Sequence, residues 1–523
     1  MAILLTLGLL VLTWLIVSQA RAWLRWRSFE KWGRTQGCGV TPTLKNKLPG
    51  GIERFAFIFT AKADFDFLED VIRAPYKSIS GYTYRVNSFL GSQINNADPE
   101  NIQAILATKF QDFDLGEIRR KNFHDVFGDG IFTSEGEAWQ HDRAQLKPQF
   151  TRAQVSDLDA AERHLQIMFK AFPEEGADGS TEEFDIKPMF YRYTMDASTE
   201  FLFGQSVNSQ TRALSPDNAS KGELEQDIDF AEALNFSQEY VAFRFRLARY
   251  YWLANSKKFQ RACHNIKEFV GNFVQRALDP DNKRPAPLPG QKEKFVLIDA
   301  LVAESTDATH VRDQALHLLA AGRDTTASLL SWTILLISRH PDEFKKVREA
   351  VLSQFGSEQT PTGEFNFSTL KACKPLTYLL FETLRLYPLL PMNGRRAVRN
   401  TTLPTGGGPD GKQPIPIRKG EQVGFSTYVL HRRQDIWGED ADEFRPSRWE
   451  GRKLGWEFIP FSGGPRICLG QQYALNEASY VVARFVQRYD KIEGWNINAP
   501  INPSLGLTLS PPDVKIRLHK ASS

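Results

Sequence analysis

The 523-residue sequence predicts a mainly α-helical fold with small β-sheets, carried behind an N-terminal transmembrane helix. Three observations predict it. Ala308 to Arg339 is one long helical pattern, apolar nearly all round, as a buried helix must be. Ala2 to Ala20 carries no charge. Short β-type runs are confined to Tyr82–Leu90, Pro416–Val429 and Val514–Leu518, so the sheets belong at the edges.

The charge-free run comes first. Ile3, Leu4, Leu5, Leu7 and Leu9 to Leu12, then Trp14 to Val17, make it almost continuously apolar, just long enough to cross a bilayer as a helix. Arg21, Arg25, Arg27, Lys31 and Arg34 follow at once, which places them and the rest of the chain in the cytosol. Trp23 and Trp26 sit where interfacial aromatics belong. A cleaved signal peptide wants basic residues ahead of its apolar core, and here they lie behind it. The expected organisation is an anchor at residues 1–20, a basic and Pro/Gly linker at 21–51, and a folded region at 52–523. The sequons at Asn218, Asn235, Asn366 and Asn400 then stay unglycosylated.

Within the folded region, Lys45–Gly51 reads as a turn-forming connector, and Asp279–Lys294 and Thr405–Pro416 read as surface loops. Asp307 is placed to cap the long helix, and Pro341 ends it and begins another that Gly356 stops. Pro375–Tyr387 is a further amphipathic helix before Pro388, and Gln471–Tyr489 is a fourth. The apolar stretch Ser328–Ile337 is too short for a second span.

Composition excludes some functions. The formal net charge is only +3, with no clustered basic stripe for nucleic acid. Aromatic residues at 12% argue against disorder. The four cysteines, Cys38, Cys263, Cys373 and Cys468, are too few and too dispersed for a disulfide framework. Cys263 and Cys373 read as small buried hydrophobes, and Cys38 receives no role. Gly406–Gly411 formally fits a dinucleotide fingerprint, but Pro409, Pro414 and Pro416 leave no helix N-terminus for a pyrophosphate, so it is a turn between strands.

The segment Phe461-Ser-Gly-Gly-Pro-Arg-Ile-Cys-Leu-Gly470 is the most informative. A thiolate ligand to haem iron must bring sulfur to the metal while the backbone stays close to a flat porphyrin. Gly463, Gly464 and Gly470 remove side chains where the chain turns or approaches closely. Backbone N–H groups then point at the sulfur, and a helix beginning near Leu469 favours thiolate over thiol. Arg466 supplies a cation for a haem propionate, and Phe461 shields the sulfur from water.

With every position of that pattern filled, the chain resembles the cytochrome P450 family, and four further matches occur in family order. Glu382 and Arg385 share a helix face in Phe381-Glu-Thr-Leu-Arg-Leu-Tyr-Pro388. The resemblance implies a buried triad with Arg448 of Asp442–Trp449, although Ser447 and Trp449 stand where the family commonly has Glu and Phe. Trp139 and Arg143 resemble the pair that meets a haem propionate, and Arg395 resembles another propionate ligand. Ala321-Gly-Arg-Asp-Thr-Thr326 lies mid-helix, where Thr325 can bond a carbonyl one turn back and open the helix for dioxygen.

The resemblance covers about Gly50 to Leu518 and implies the cytochrome P450 fold in a single large haem domain. It implies heme b (iron protoporphyrin IX) ligated by the Cys468 thiolate, with Asp324 and Thr325 relaying protons. The chain has no recognisable NADPH or flavin site, so electrons come from a partner, expected to be NADPH-cytochrome P450 reductase. A single-pass protein of the endoplasmic reticulum membrane, touching membrane lipid and using O2 and a small hydrophobic substrate, follows from the same resemblance. Gly130–Phe150, Gly470–Tyr480 and Thr402–Gly411 are similar to the fungal branch that oxidises alkanes and fatty acids near the terminal carbon. Leu316, Ala320, Leu389, Leu390 and a strand at Leu505–Leu509 are the candidate pocket walls. The rival readings are a monooxygenase of fungal secondary metabolism or xenobiotics, a haem-thiolate enzyme that rearranges peroxides, and a haem-binding sensor or carrier.

Overall fold

The computed structural model describes residues 2–49, 51–53, 66–79, 81–88, 91–151, 158–214, 221–282 and 295–521, and in it the N-terminal run folds as helix α1 (Ala2–Thr35). The helix does not stop at Ala20. Leu, Arg, Trp and Lys all sustain helical backbone, so the boundary between anchor and linker is a change of composition rather than a break. Past Thr35 the Cys38 N–H bonds back to the Gly33 carbonyl at 3.0 Å and closes the end. Among the described residues no helix is long and apolar enough to cross a membrane. Most side chains of residues 1–12 lie outside the described residues.

Two units make up the chain: residues 1–114, 392–426 and 463–466 form the smaller, and 115–391, 427–462 and 467–523 the larger. The smaller unit holds α1 and the strands β1 (Thr43–Leu44), β2 (Thr83–Ser88), β3 (Gly91–Asn96), β4 (Phe113–Asp114), β5 (Asn393–Ala397), β6 (Thr401–Gly407), β7 (Gln413–Ile417) and β8 (Gln422–Phe425). Six form one sheet in the order β1-β2-β3-β8-β5-β4. Its centre pairs β3 parallel to β8, with Ile94 opposite Val423, and β5 antiparallel to β8, with Arg395 opposite Val423. Ile94 and Val423 are fully buried, which fixes the register.

Strands β6 and β7 pair antiparallel, so the expected loop at Thr405–Pro416 is mostly a hairpin. Pro414 and Pro416 lack an N–H but sit in a two-stranded ribbon, where prolines are tolerated. The Pro414 carbonyl accepts the Gly39 N–H at 2.9 Å, which ties the end of the α1 segment to this ribbon. The β run expected to reach Val429 ends at Phe425, and Thr427–Leu430 is a helical turn instead.

The larger unit contains helices α2 (Gly136–Leu146), α3 (Asp159–Lys170), α4 (Lys187–Phe203), α5 (Lys221–Arg246), α6 (Ala308–Arg339), α7 (Lys374–Leu386) and α8 (Gln471–Arg488). Helix α6 has the expected bounds. The Asp307 carboxylate accepts the N–H groups of Thr309 and His310 at 2.9 and 3.2 Å and starts it. Its apolar faces are buried all round, and Trp332 stacks on Tyr387 with ring centroids 3.8 Å apart. Pro341–Phe355, α7 and α8 also lie where the caps and prolines place them. Leu505–Leu509 is not one strand. Ser504–Leu505 folds back on Leu509–Ser510 as a tight hairpin. The expected loop at Asp279–Lys294 starts with a helical turn at Pro280–Asn282, and 283–294 lie outside the described residues.

His317 of α6 illustrates how the core constrains protonation. Its Nδ1 accepts the Phe132 N–H at 3.2 Å and its ring stacks on Phe132, so the proton sits on Nε2, facing the Gly128 carbonyl. Burial, aided by the charge of Arg119, pushes its pKa down to about 4. The unfolded chain then takes up the proton first. Stability from His317 is whole above about pH 6.5 and is lost as pH falls towards 4, by about 2 kcal/mol at pH 5. Urea midpoints at pH 7 and pH 5 should show this drop, and His317→Gln should reduce it. An unchanged pH slope in that variant would contradict the assignment.

Candidate active site

The cysteine loop connects a strained turn to a helix N-terminus. Ser462 adopts φ 64°, which is unfavourable for a residue with a Cβ. Gly464 follows at φ 65°, and a Cβ there would lie 1.9 Å from the Leu106 carbonyl oxygen, so only glycine fits. The Cys468 N–H closes the loop by bonding to the Phe461 carbonyl at 3.0 Å. Phe461 itself is half-buried. Helix α8 begins at Gln471, where the sequence places it, with Gly470 as its cap.

The Cys468 thiol is accessible to solvent, although surrounding protein is dense enough that burial raises its pKa. The backbone N–H groups of Gly470 and Gln471 and the charge of Arg143 act in the opposite direction and favour thiolate. Arg143 extends from α2 and donates to the carbonyl of Ile467 at 3.1 Å, directly beside the cysteine. Its guanidinium lies 5.8 Å from the ring centroid of Trp139, one turn back and buried.

Glu382, Arg385 and Arg448 come together at zero or near-zero exposure. The Glu382 carboxylate accepts two bonds from Arg385 at 2.8 Å each and one from Arg448 Nε at 2.8 Å. The Arg445 backbone N–H adds a bond at 2.9 Å. Arg385 also donates to the carbonyls of His431, Ala441 and Glu443, so its planar fork is filled. Sequence reasoning missed one member: Trp449 Nε1–H donates to Glu382 at 3.0 Å. The signal was the departure from Phe at that position, since an indole brings a donor that a phenyl ring lacks.

On α6, the Thr325 hydroxyl donates to the Ala321 carbonyl at 2.5 Å, and the side chain stays partly accessible. The helix nevertheless continues unbroken through this turn. Gly322 serves packing: a Cβ there would meet Ser198 Oγ of α4 at 3.1 Å. Asp324 is buried and bonded to Arg323 at 3.1 Å.

Arg395 and Arg466 belong to the smaller unit. Arg395 is buried on β5 and donates to the Gly394 carbonyl at 2.8 Å. Arg466 ends the helical turn Gly464–Arg466 and is half-buried. Of the pocket candidates, Leu316 and Leu509 are sealed at 1% and 0% exposure and are core. Ala320, Leu390 and Leu505 keep exposed surface, and Leu389 keeps 7%. Cys263 and Cys373 are buried.

A haem ligand must offer a sulfur open on one side, backbone rather than side chains close to it, and cations nearby for the propionates. Cys468 meets the first demand, the glycine-bounded loop the second, and Arg143 the third, so the residues present fit the group.

Comparison with known proteins agrees with this chemistry. The family model for cytochrome P450 matches residues 81–518. A cytochrome P450 monooxygenase named g430 from a Fusarium species is 46% identical, covering 90% of this chain and 82% of that protein. Cytochrome P450 52A5 of Candida maltosa is 43% identical over 82% of this chain and 81% of its own length. The solved haem domain of cytochrome P450DA superimposes with a TM-score of 0.70 at 20% identity, covering 92% of this chain and 97% of that one. The family match across both units and relatives above 40% identity lead to one conclusion: the chain belongs to the cytochrome P450 family and is a monooxygenase that carries haem on a cysteine thiolate.

Proposed function

We propose that this cytochrome P450 hydroxylates a long-chain alkane or fatty acid at or near its terminal carbon, with Cys468 as the sulfur ligand of heme b. One oxygen atom of O2 enters a C–H bond and the other leaves as water. Electrons come from NADPH-cytochrome P450 reductase. The observation that carries the ligand assignment is the accessible Cys468 thiol at the start of α8, flanked by two backbone N–H groups and Arg143. The substrate class is supported by the resemblance to the fungal alkane- and fatty-acid-oxidising branch and by the accessible apolar side chains Ala320, Leu390 and Leu505.

When bound, haem supplies dioxygen activation. The chain's own residues do the rest. Trp139, Arg143, Arg395 and Arg466 offer donors and positive charge to the propionates. Phe461 keeps water from the sulfur. Asp324 holds a proton on its carboxyl, and the Thr325 hydroxyl passes it on after releasing the Ala321 carbonyl. The Glu382–Arg385–Arg448 triad holds the segment that leads to the cysteine loop.

We also place the protein in the endoplasmic reticulum membrane, with α1 as a single span and the catalytic region in the cytosol. Supporting this are Trp14, Ile16, Trp23 and Trp26, exposed by 68%, 61%, 50% and 45% along α1, beside the basic residues that follow. Carbonate-washed microsomes should retain the chain. Its release into the supernatant would contradict an integral anchor.

The substrate reading is tested by adding hexadecanoic acid, then hexadecane, to the ferric holoprotein and recording the visible spectrum. A shift of the Soret band towards the high-spin form is expected as the substrate expels water from the iron. A band unmoved by both, but moved by an aromatic compound, would contradict the lipid class. Thr325→Ala should lower product formation and send most reducing equivalents to hydrogen peroxide, read as peroxide released per NADPH. Tight coupling in that variant would contradict its role in proton transfer.

A further inference from the structure

Arg385 bonds to more than Glu382. One of its N–H groups reaches the backbone carbonyl of His431 at 2.8 Å. His431 follows the helical turn Thr427–Leu430, and its own N–H bonds to the Thr427 carbonyl at 2.9 Å. The side chain is completely buried. Its Nε2 accepts the backbone N–H of Ile459 at 3.0 Å, so the ring is neutral and carries its proton on Nδ1. Burial, with the charge of Arg385 beside it, pushes the His431 pKa down to about 3, against the opposing pull of the Arg385 and Leu384 carbonyls. Above that pH the imidazole stays neutral, and Nε2 keeps its lone pair for Ile459.

Aromatic packing fixes the plane of the ring. Its centroid lies 5.1 Å from that of Phe458 and 6.3 Å from that of Trp437. Phe458 precedes Ile459 and packs in turn on Phe381 of α7 and on Trp449, at 5.5 and 4.5 Å. From Ile459 a short hydrogen-bonded path leads to the cysteine. The Ile459 carbonyl accepts the Ser462 N–H at 3.0 Å, and the Phe461 carbonyl inside that turn accepts the Cys468 N–H at 3.0 Å. Ile459 is buried, and a buried N–H left unpaired is costly. Its neighbour Pro460 has no N–H to offer in exchange.

We propose that His431 is a positioning residue for the sulfur ligand: its carbonyl is held by Arg385, its imidazole holds Ile459, and through the Ile459–Ser462 turn it fixes where the Cys468 backbone stands. The inference rests on the reading of Cys468 as the haem ligand. Without the acceptor at Nε2, the Ile459 N–H loses its partner and the turn carrying the Phe461 carbonyl loosens. The Gly470 and Gln471 N–H groups then hold their alignment to the sulfur less well, and thiol is favoured over thiolate.

The test uses three variants of the full-length holoprotein. His431→Gln keeps an acceptor at the reach of Nε2 but removes the ring. His431→Phe keeps a ring and removes the acceptor. His431→Met has the length of the Gln variant with neither a ring nor a strong acceptor. All three retain the backbone carbonyl that Arg385 uses, so the ion-pair cluster keeps its partner. Hydrogen–deuterium exchange at the Ile459 amide should quicken by about tenfold in His431→Phe and His431→Met, the effect of losing one buried hydrogen bond. In His431→Gln it should stay near the wild-type rate. On reduction under carbon monoxide, His431→Phe and His431→Met should lose part of the thiolate-type band to the thiol form, and His431→Gln should keep it. With hexadecanoic acid and the reductase, kcat should fall in the first two variants with KM unchanged. A folded His431→Phe with wild-type exchange and spectrum would overturn the proposal. So would a His431→Gln that performs no better than His431→Met, a comparison that stands even if His431→Phe does not accumulate. If Cys468→Ala kept the thiolate-type band, the ligand reading would fall, and that result is distinct from a failure of His431, which the exchange at Ile459 reports by itself.

Discussion

Cys468→Ala is expected to abolish the thiolate-type spectrum of the reduced carbon monoxide complex and all hydroxylation supported by reductase. The loop can present only one sulfur. Cys263 and Cys373 are buried, and burial holds the thiol pKa of each above its ordinary value. Cys38 lies in the smaller unit, beyond the end of α1. Alanine removes the sulfur while leaving Gly464, Gly470 and the α8 N-terminus as they are, so haem content and thermal midpoint separate loss of ligand from loss of fold. Cys468→Ser provides the second arm: it keeps a donor of similar size without the electron-rich sulfur. A Cys468→Ala protein with the wild-type spectrum would remove the ligand assignment altogether.

Glu382→Ala should destabilise the larger unit by about 3–5 kcal/mol, the range for breaking one side of a buried ion pair. Without the carboxylate, Arg385 is left buried with no counter-charge, Arg448 keeps only Asp440, and Trp449 and the Arg445 N–H lose their acceptor. Burial already lowers the pKa of Arg385, and Glu382 is what opposes that shift. Trp449→Phe removes one neutral donor and should cost only about 1–2 kcal/mol. Urea denaturation with haem content as a second readout orders the two variants. Equal stability of wild type and Glu382→Ala would mean that the cluster contributes nothing net.

What was legible in the sequence follows from how local the cause is. Helix α6 was legible because its cap, its apolar faces and its terminal Pro341 are all adjacent in sequence. The Glu382–Arg385 pair was legible because i and i+3 share a face, and Arg448 because a family pattern supplied its distant partner. The hairpin at 504–510 was not, since Leu505 and Leu509 are apolar at both ends and a turn at Gly506 looks like a strand with one glycine. The continuation of α1 past Ala20 was hidden because a change from apolar to basic residues alters solvent preference, not helix propensity.

Long-range polar partners were the least legible. Asn235 stands 88 positions from Arg323, and nothing near either residue announces the bond. Gly322 is a poor helix residue in mid-helix, and the reason for it, the approach of Ser198, exists only after α4 and α6 pack. The same holds for Ser462, whose positive φ is imposed by the loop it sits in.

The central claim is that this chain inserts one atom of dioxygen into a lipid C–H bond. Mass spectrometry of the product formed from hexadecanoic acid under isotopically heavy oxygen, with reductase and NADPH, tests it most directly. The account predicts a hydroxylated acid carrying one heavy oxygen atom at or near the terminal carbon, and none when Cys468 is alanine. A product whose new oxygen comes from water, or one formed equally well by Cys468→Ala, would contradict it.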